Sequence, residues 1–203
     1  MTPNDCVGEG SGWGTIDGAR LRILILTDPR RREDARRVVH ALAMRHAVET
    51  SSEDGIFRSL VAARAARALS PHLIHAVGLR GAAKSAPLIA SGMNIPYVLS
   101  LNGADIDDLG KMLEIIERAL AVLLENGTLA DRLRSLGVDR ELYVLSIPEN
   151  ADDDASFLGA LEIVYGRVLA GTESNVELET NARLGRGEAA NANTLVKIGR
   201  KHG

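Results

Sequence analysis

The sequence predicts an α/β protein with one doubly wound, Rossmann-like domain. Its mostly parallel sheet is expected to have about six strands, with helices on both faces. Three observations lead there. Short runs rich in leucine and β-branched residues recur along the chain, each followed by a segment with helical apolar spacing. The first run, Leu21-Arg22-Ile23-Leu24-Ile25-Leu26-Thr27, is almost continuously aliphatic, as suits a strand covered on both faces. The stretch from Pro71 to Asp105 reads as strand, crossover helix and strand, a unit whose two strands run parallel. Both of those strands stop in glycine-containing turns with polar residues, so their polar groups collect at one rim of the sheet. Ligands of open α/β sheets sit at that carboxyl edge.

Composition narrows the function classes. The 203 residues are 45% hydrophobic and 25% charged, enough for one domain with a sizeable core. Aromatic residues make up 3%, so the core rests on Leu, Ile, Val and Ala, and platforms for stacking nucleic-acid bases are not expected. A net charge of −3 likewise argues against a nucleic-acid partner. The single cysteine, Cys6, allows neither an intrachain disulfide nor a thiolate metal cluster. The sequence shows no basic-then-apolar secretory signal and no apolar run near the ~20 residues of a membrane span. A cytoplasmic protein without a transmembrane segment is the expectation. No Walker loop, G-x-S-x-G elbow or set of metal-spaced ligands is present, so no metal and no cofactor are expected.

Each element has its own justification. Residues 1–19, with their Gly, Ser, Thr and Asp and a lone Trp13, are expected to form a flexible leader. Their glycines precede the first strand, whereas a dinucleotide loop must follow one. Asp28-Pro29 ends that strand. The helix after it, reaching His46, carries Ala35, Val38, Val39 and Leu42 at helical spacing, with Arg30, Arg31, Arg32, Arg36 and Arg37 near its start. Those arginines fit either an anion-binding or membrane-surface patch, or a solvated face partly neutralised by Glu33 and Asp34. His46 to Thr50 is a short second strand. Ser51, Ser52 and Asp54 offer caps for a helix to Ser70, with Phe57, Leu60, Val61 and Ala68 inside and Arg58, Arg64 and Arg67 outside.

Pro87 must start the crossover helix late or kink it. Met112, Ile115, Ile116, Ala119 and Leu120 follow a helical face, and Ala121 to Glu125 is a compact strand. After the Asn126-Gly127 turn, Thr128 can cap a helix bearing Leu129, Leu133 and Leu136, closed by Gly137. Leu142 to Ile147 is the last strand. Asp152, Asp153 and Asp154 suit the positive end of a helix whose one side is Phe157, Leu161, Val164, Tyr165 and Val168. The domain is thus placed at roughly 20–170. From 171 to 203 apolar density collapses, which predicts a disordered or loosely docked tail with a short helix near Leu195 to Ile198.

A family resemblance enters from Pro71 onward. Pro71-His72-Leu73-Ile74-His75-Ala76-Val77-Gly78 is followed by an alanine-rich segment and then Asn94-Ile95-Pro96-Tyr97-Val98-Leu99-Ser100-Leu101-Asn102-Gly103-Ala104-Asp105. Leu129 to Val138 and Ile147-Pro148-Glu149-Asn150-Ala151-Asp152 continue the series. In combination these resemble the N-terminal, acceptor-side domain of GT-B glycosyltransferases, above all the family-4 retaining enzymes. The likeness covers most of residues 71–152. It implies substrate-cleft roles for His75, Gly78, Arg80, Asn102, Gly103, Asp105, Glu125 and Asn150.

Departures from the family pattern are equally specific. The Gly-Gly acceptor loop expected after the first strand is replaced by Asp28-Pro29 and the arginines. Val77 stands where the motif has a second histidine, Asn102 where it has the histidine before Gly-x-Asp, and Glu125 where it has a serine. An amide can hydrogen-bond a hydroxyl but cannot shuttle a proton at neutral pH. The donor-binding half with its E-x7-E motif is also lacking. Glu117 and Glu125 have that spacing but straddle a helix and a strand, so the match is coincidental.

The resemblance therefore implies a glycosyltransferase-like module that takes part in sugar transfer only with a donor-binding partner chain or as a homodimer. A nucleotide-sugar would bind only in that completed form, and the acceptor would be anionic or lipid-linked. The alternative is a catalytically inactive binding or scaffold module. No catalytic residue is assigned. His75 is either a ligand-binding group or a hydrogen-bonded structural histidine, Asp105 a cleft group or a helix cap, and Glu125 a cleft acid or a turn residue.

Overall fold

A computed structural model describes residues 20–52, 58–147, 154–173 and 196–198. Among these residues six strands run parallel: β1 Arg22–Thr27, β2 Ala47–Ser51, β3 Leu73–Val77, β4 Tyr97–Leu101, β5 Ala121–Leu124 and β6 Glu141–Val144. A further strand, β7 (Val196–Ile198), pairs antiparallel with β6, and the sheet order is β2-β1-β3-β4-β5-β6-β7. The order reverses once, between β1 and β3. The carboxyl ends of those two strands are therefore the switch point at which a doubly wound sheet leaves a crevice.

Among the described residues six α-helices cover the sheet: α1 Arg32–Ala43, α2 Arg58–Leu69, α3 Ala86–Met93, α4 Leu113–Arg118, α5 Gly127–Ser135 and α6 Asp154–Glu173. Alternation along the strands divides the core into two layers. Leu24, Leu26, Ile74, Ala76, Leu99 and Val122 pack with residues of α2, α3, α4 and α5 on one face. Ile23, Ile25, Leu73, Val77, Val98 and Leu123 pack with α1 and α6 on the other. The α6 residues Phe157, Leu161, Val164, Tyr165 and Val168 are all buried there.

Several elements differ locally from the sequence reading. In α2 the inner residues are Ala62 and Ala66, while Leu60 is 59% exposed and Val61 38% exposed. Two alanines one turn apart let this helix lie close against the sheet, and that close approach turns the larger side chains outward. Phe57 lies outside the described residues. The crossover helix solves its proline by a 3-10 turn over Gly81–Ser85, after which Pro87 falls in the first turn of α3, where a missing N–H costs nothing. Asn126, not Thr128, caps α5: its side chain accepts a hydrogen bond from the Leu129 amide at 3.2 Å. Between β4 and the short α4 the chain forms two 3-10 turns, Gly103–Asp105 and Leu109–Lys111, and Leu120 emerges at the surface. Near the C-terminus, Val196–Ile198 is a strand rather than a helix. The outer edge of β6 offers unpaired backbone groups, and an extended segment satisfies them where an isolated helical turn does not. Among the described residues no helix is long and apolar enough to cross a membrane.

Candidate functional site at the carboxyl edge

Two loops meet at the switch point, one after β1 (Asp28 to Arg31) and one after β3 (Gly78 to Gly81). They are packed together. Gly78 has φ +87, and a Cβ there would lie 2.7 Å from Asp28 Cβ and 3.2 Å from Arg31 Cγ. Gly81 has φ +56, and its Cβ would meet Pro29 Cδ at 2.4 Å. Both glycines thus serve the left-handed turn and the close approach of the loops. The two loops thus pack directly on each other through Asp28, Pro29 and Arg31.

Ion pairs lock the loops in place. The Asp28 carboxylate accepts from the Arg30 amide at 2.9 Å and from Arg30 Nη2 at 2.8 Å. Burial alone would raise the pKa of this carboxyl, but the Arg30 contacts outweigh it and hold the group below the ordinary aspartate range. Arg80 grips Asp108 with both arms of its guanidinium, Nε to Oδ2 at 2.7 Å and Nη2 to Oδ1 at 2.6 Å, which lowers the Asp108 pKa. Deeper in, Arg31 donates to Asp34 Oδ2 at 2.5 Å and to Asp105 Oδ2 at 2.6 Å. Asp105 is fully buried and its Oδ1 has no hydrogen-bond partner. Burial accordingly raises its pKa, against the Asn102 amide and Arg31, which favour the charged form.

The loop after β4 completes the rim. The Asn102 side chain accepts from the Ala104 amide at 2.9 Å, and Asp105 Oδ2 accepts from the Asn102 amide at 3.0 Å. This reciprocal pair is a capping box, with Asn102 as the cap and Asp105 as its third helical position. Asn102 also donates from Nδ2 to Asp34 Oδ2 at 3.2 Å. Glu125, exposed at the end of β5, accepts from the Gly103 amide at 3.0 Å. Arg80, Asn102, Gly103, Asp105 and Glu125 therefore gather at one edge. Asn150 lies outside the described residues.

His75 is not at that edge. It sits in the middle of β3, fully buried, with Nδ1 2.6 Å from the Tyr165 hydroxyl and Nε2 2.6 Å from the Ser100 hydroxyl. Alternation along β3 turns it toward α6, and burial pulls its pKa down to about 3. The placement of this residue at the cleft is corrected: it is a neutral core histidine tying β3, β4 and α6 together.

Of the two readings of the arginines near the start of α1, their contacts fit the solvated face partly neutralised by Glu33 and Asp34. Arg31 is buried, Arg30 is held by Asp28, and Arg36 and Arg37 lie 3.3 Å and 3.7 Å from the Glu33 carboxylate. Arg32 remains exposed on α1. Residues that sequence reasoning missed are Asp108, Ser100 and Tyr165. Asp108 stands in an acidic run that reads as solvated surface, and Ser100 and Tyr165 stand in apolar runs that read as core. Among the described residues no group of three or more His, Cys, Asp or Glu side chains could hold a metal ion. No protein-family model matches this sequence, and no curated protein matches it.

Proposed function

We propose that the chain is a glycosyltransferase-like binding module that takes part in sugar transfer only when a donor-binding partner completes it, and that it is catalytically silent alone. One observation carries this reading. The loops after β1 and β3 pack on each other through the chain's own Asp28, Pro29 and Arg31, while Gly103 and Glu125 stay exposed at the rim. Loops packed together in this way support a reading in which a nucleotide diphosphate is held by a partner rather than by this domain alone. The rim still offers hydrogen-bonding groups to an acceptor presented from the other side. His75 is buried and neutral, and Asn102 cannot exchange a proton, so among the described residues this rim carries no imidazole base.

Calorimetric titration with UDP- and GDP-sugars tests the proposal. The expected result is no heat of binding for the chain alone and binding once a co-purifying partner is present. Tight binding by the chain alone would overturn it. Silence in both cases leaves the scaffold reading, which the Arg31–Asp105 lock favours because it makes the rim rigid.

A further inference from the structure

The last strand of the sheet is held differently from the others. β7 has 3 residues, runs antiparallel to the strand it joins, and has β6 as its one neighbour in the sheet. Val196 lies opposite Val144, Lys197 opposite Tyr143 and Ile198 opposite Leu142. β6 is anchored on its other side. It pairs with β5 along its whole length, Leu142 and Tyr143 are buried, and the Leu145 amide donates to the Leu124 carbonyl at 2.8 Å. A strand fixed in this way is a template for an extended segment along its outer edge. β7 falls short of the usual strand of about five or six residues, so few contacts hold it there and it opens at low cost.

Residues 174–195, between α6 and β7, lie outside the described residues. At about 3.5 Å per extended residue, that length of chain reaches on the order of 70 Å, whereas a domain of this size is roughly 40 Å across. Its length therefore sets no bar to β7 reaching the β6 of a neighbouring molecule.

From this combination of a fixed β6 and a short β7 on a long tether, we infer that two copies of the chain exchange β7 and form a two-fold dimer. Each β7 then lies on the other copy's β6 in the same antiparallel register. The exchange conserves the β6–β7 backbone pairing, so the monomer and the dimer differ in the tether and not in the contacts. A tethered strand competes at an effective concentration in the mM range, so exchange appears near ~1 mM and fades near ~10 µM. This inference stands apart from the sugar-transfer reading.

Cysteine pairing on the full chain tests it, with Cys6→Ser throughout. Val144 and Val196 face each other across the two strands, and the Cα spacing of such a pair, ~4.5–5.5 Å, is one that a disulfide spans. Chains carrying Val144→Cys are mixed with chains carrying Val196→Cys and briefly oxidised. A covalent dimer is expected, at least about tenfold more abundant at ~1 mM than at ~10 µM. Ser91→Cys, at an exposed site on α3, replaces Val144→Cys as the measure of chance collision and is expected to give far less. Equal yields from the two positions, or no covalent dimer at the higher concentration, would overturn the exchange. Sedimentation of the unaltered chain reads the same equilibrium without substitutions, and a shift from monomer toward dimer over that range is expected. A monomer throughout would overturn the inference, as would a dimer whose Val144→Cys and Val196→Cys chains form no bond.

Discussion

Arg31 Nη1 lies 2.6 Å from Asp105 Oδ2, and the two side chains are 4% and 0% exposed. They are 74 positions apart in sequence, yet this contact ties the start of α1 to the loop after β4. A pair buried this deeply contributes little by existing, because desolvation offsets its attraction. Breaking it from one side is costly, because the remaining charge has nowhere to go.

Arg31→Met should therefore destabilise the fold by about 3–5 kcal/mol. Arg31→Met combined with Asp105→Leu should recover most of that loss, since neither charge is then stranded. Urea unfolding of the three proteins checks this. A loss below about 1 kcal/mol in the single variant would show that water reaches Asp105.

The buried imidazole of His75 makes stability depend on pH. In the unfolded chain a histidine titrates near 6.5, whereas in the fold His75 titrates at about 3. Between those values the unfolded state holds the extra proton, so stability is complete above pH 6.5 and is lost as the pH falls toward 3. Roughly 2–3 kcal/mol should disappear between pH 6.5 and 4.5. His75→Gln should be less stable at pH 7 but lose less on acidification. His46 and His72 are also lowered by burial, and their effect cancels in this comparison. Identical pH slopes for the two proteins would refute the assignment.

Gly78 and Gly137 share a positive φ, +87 and +83, but differ in surroundings. A Cβ at Gly137 meets nothing within 4 Å, so Gly137→Ala should cost only the backbone strain, about 1–2 kcal/mol. Gly78→Ala adds a collision with the β1 loop and should cost about 1–3 kcal/mol more. Thermal melts of the pair measure the difference, and equal losses would mean that the two loops separate easily.

Capping of α5 distinguishes neighbours. Asn126→Ala should lose about 1 kcal/mol, whereas Thr128→Ala, within the first turn and exposed, should stay within about 0.5 kcal/mol. Chemical denaturation of both variants decides between them.

Much of the architecture was legible in the residues. A strand covered on both faces needs a mostly aliphatic run, and β1, β3, β4 and β5 each show one, broken within β3 and β4 only by His75 and Ser100. A helix on the sheet needs a stripe at helical spacing, as α6 has. The stripe failed for α2, because the depth to which a helix sinks depends on the small residues it shares with its neighbours, and not on its own hydrophobicity. The β7 strand was illegible for a similar reason: three residues pair with whatever edge stands open, and that edge belongs to β6.

By itself the chain determined a doubly wound parallel sheet and brought the loops of β3, β4 and β5 to one rim, because apolar periodicity and crossover handedness are local properties. Only the tertiary structure decided what that rim became. It turned His75 inward, since a one-residue phase along a strand selects the face, and it joined the loops after β1 and β4 through Arg31 and Asp105. Charges so far apart along the backbone find each other only after the sheet has formed, and water is then excluded from between them.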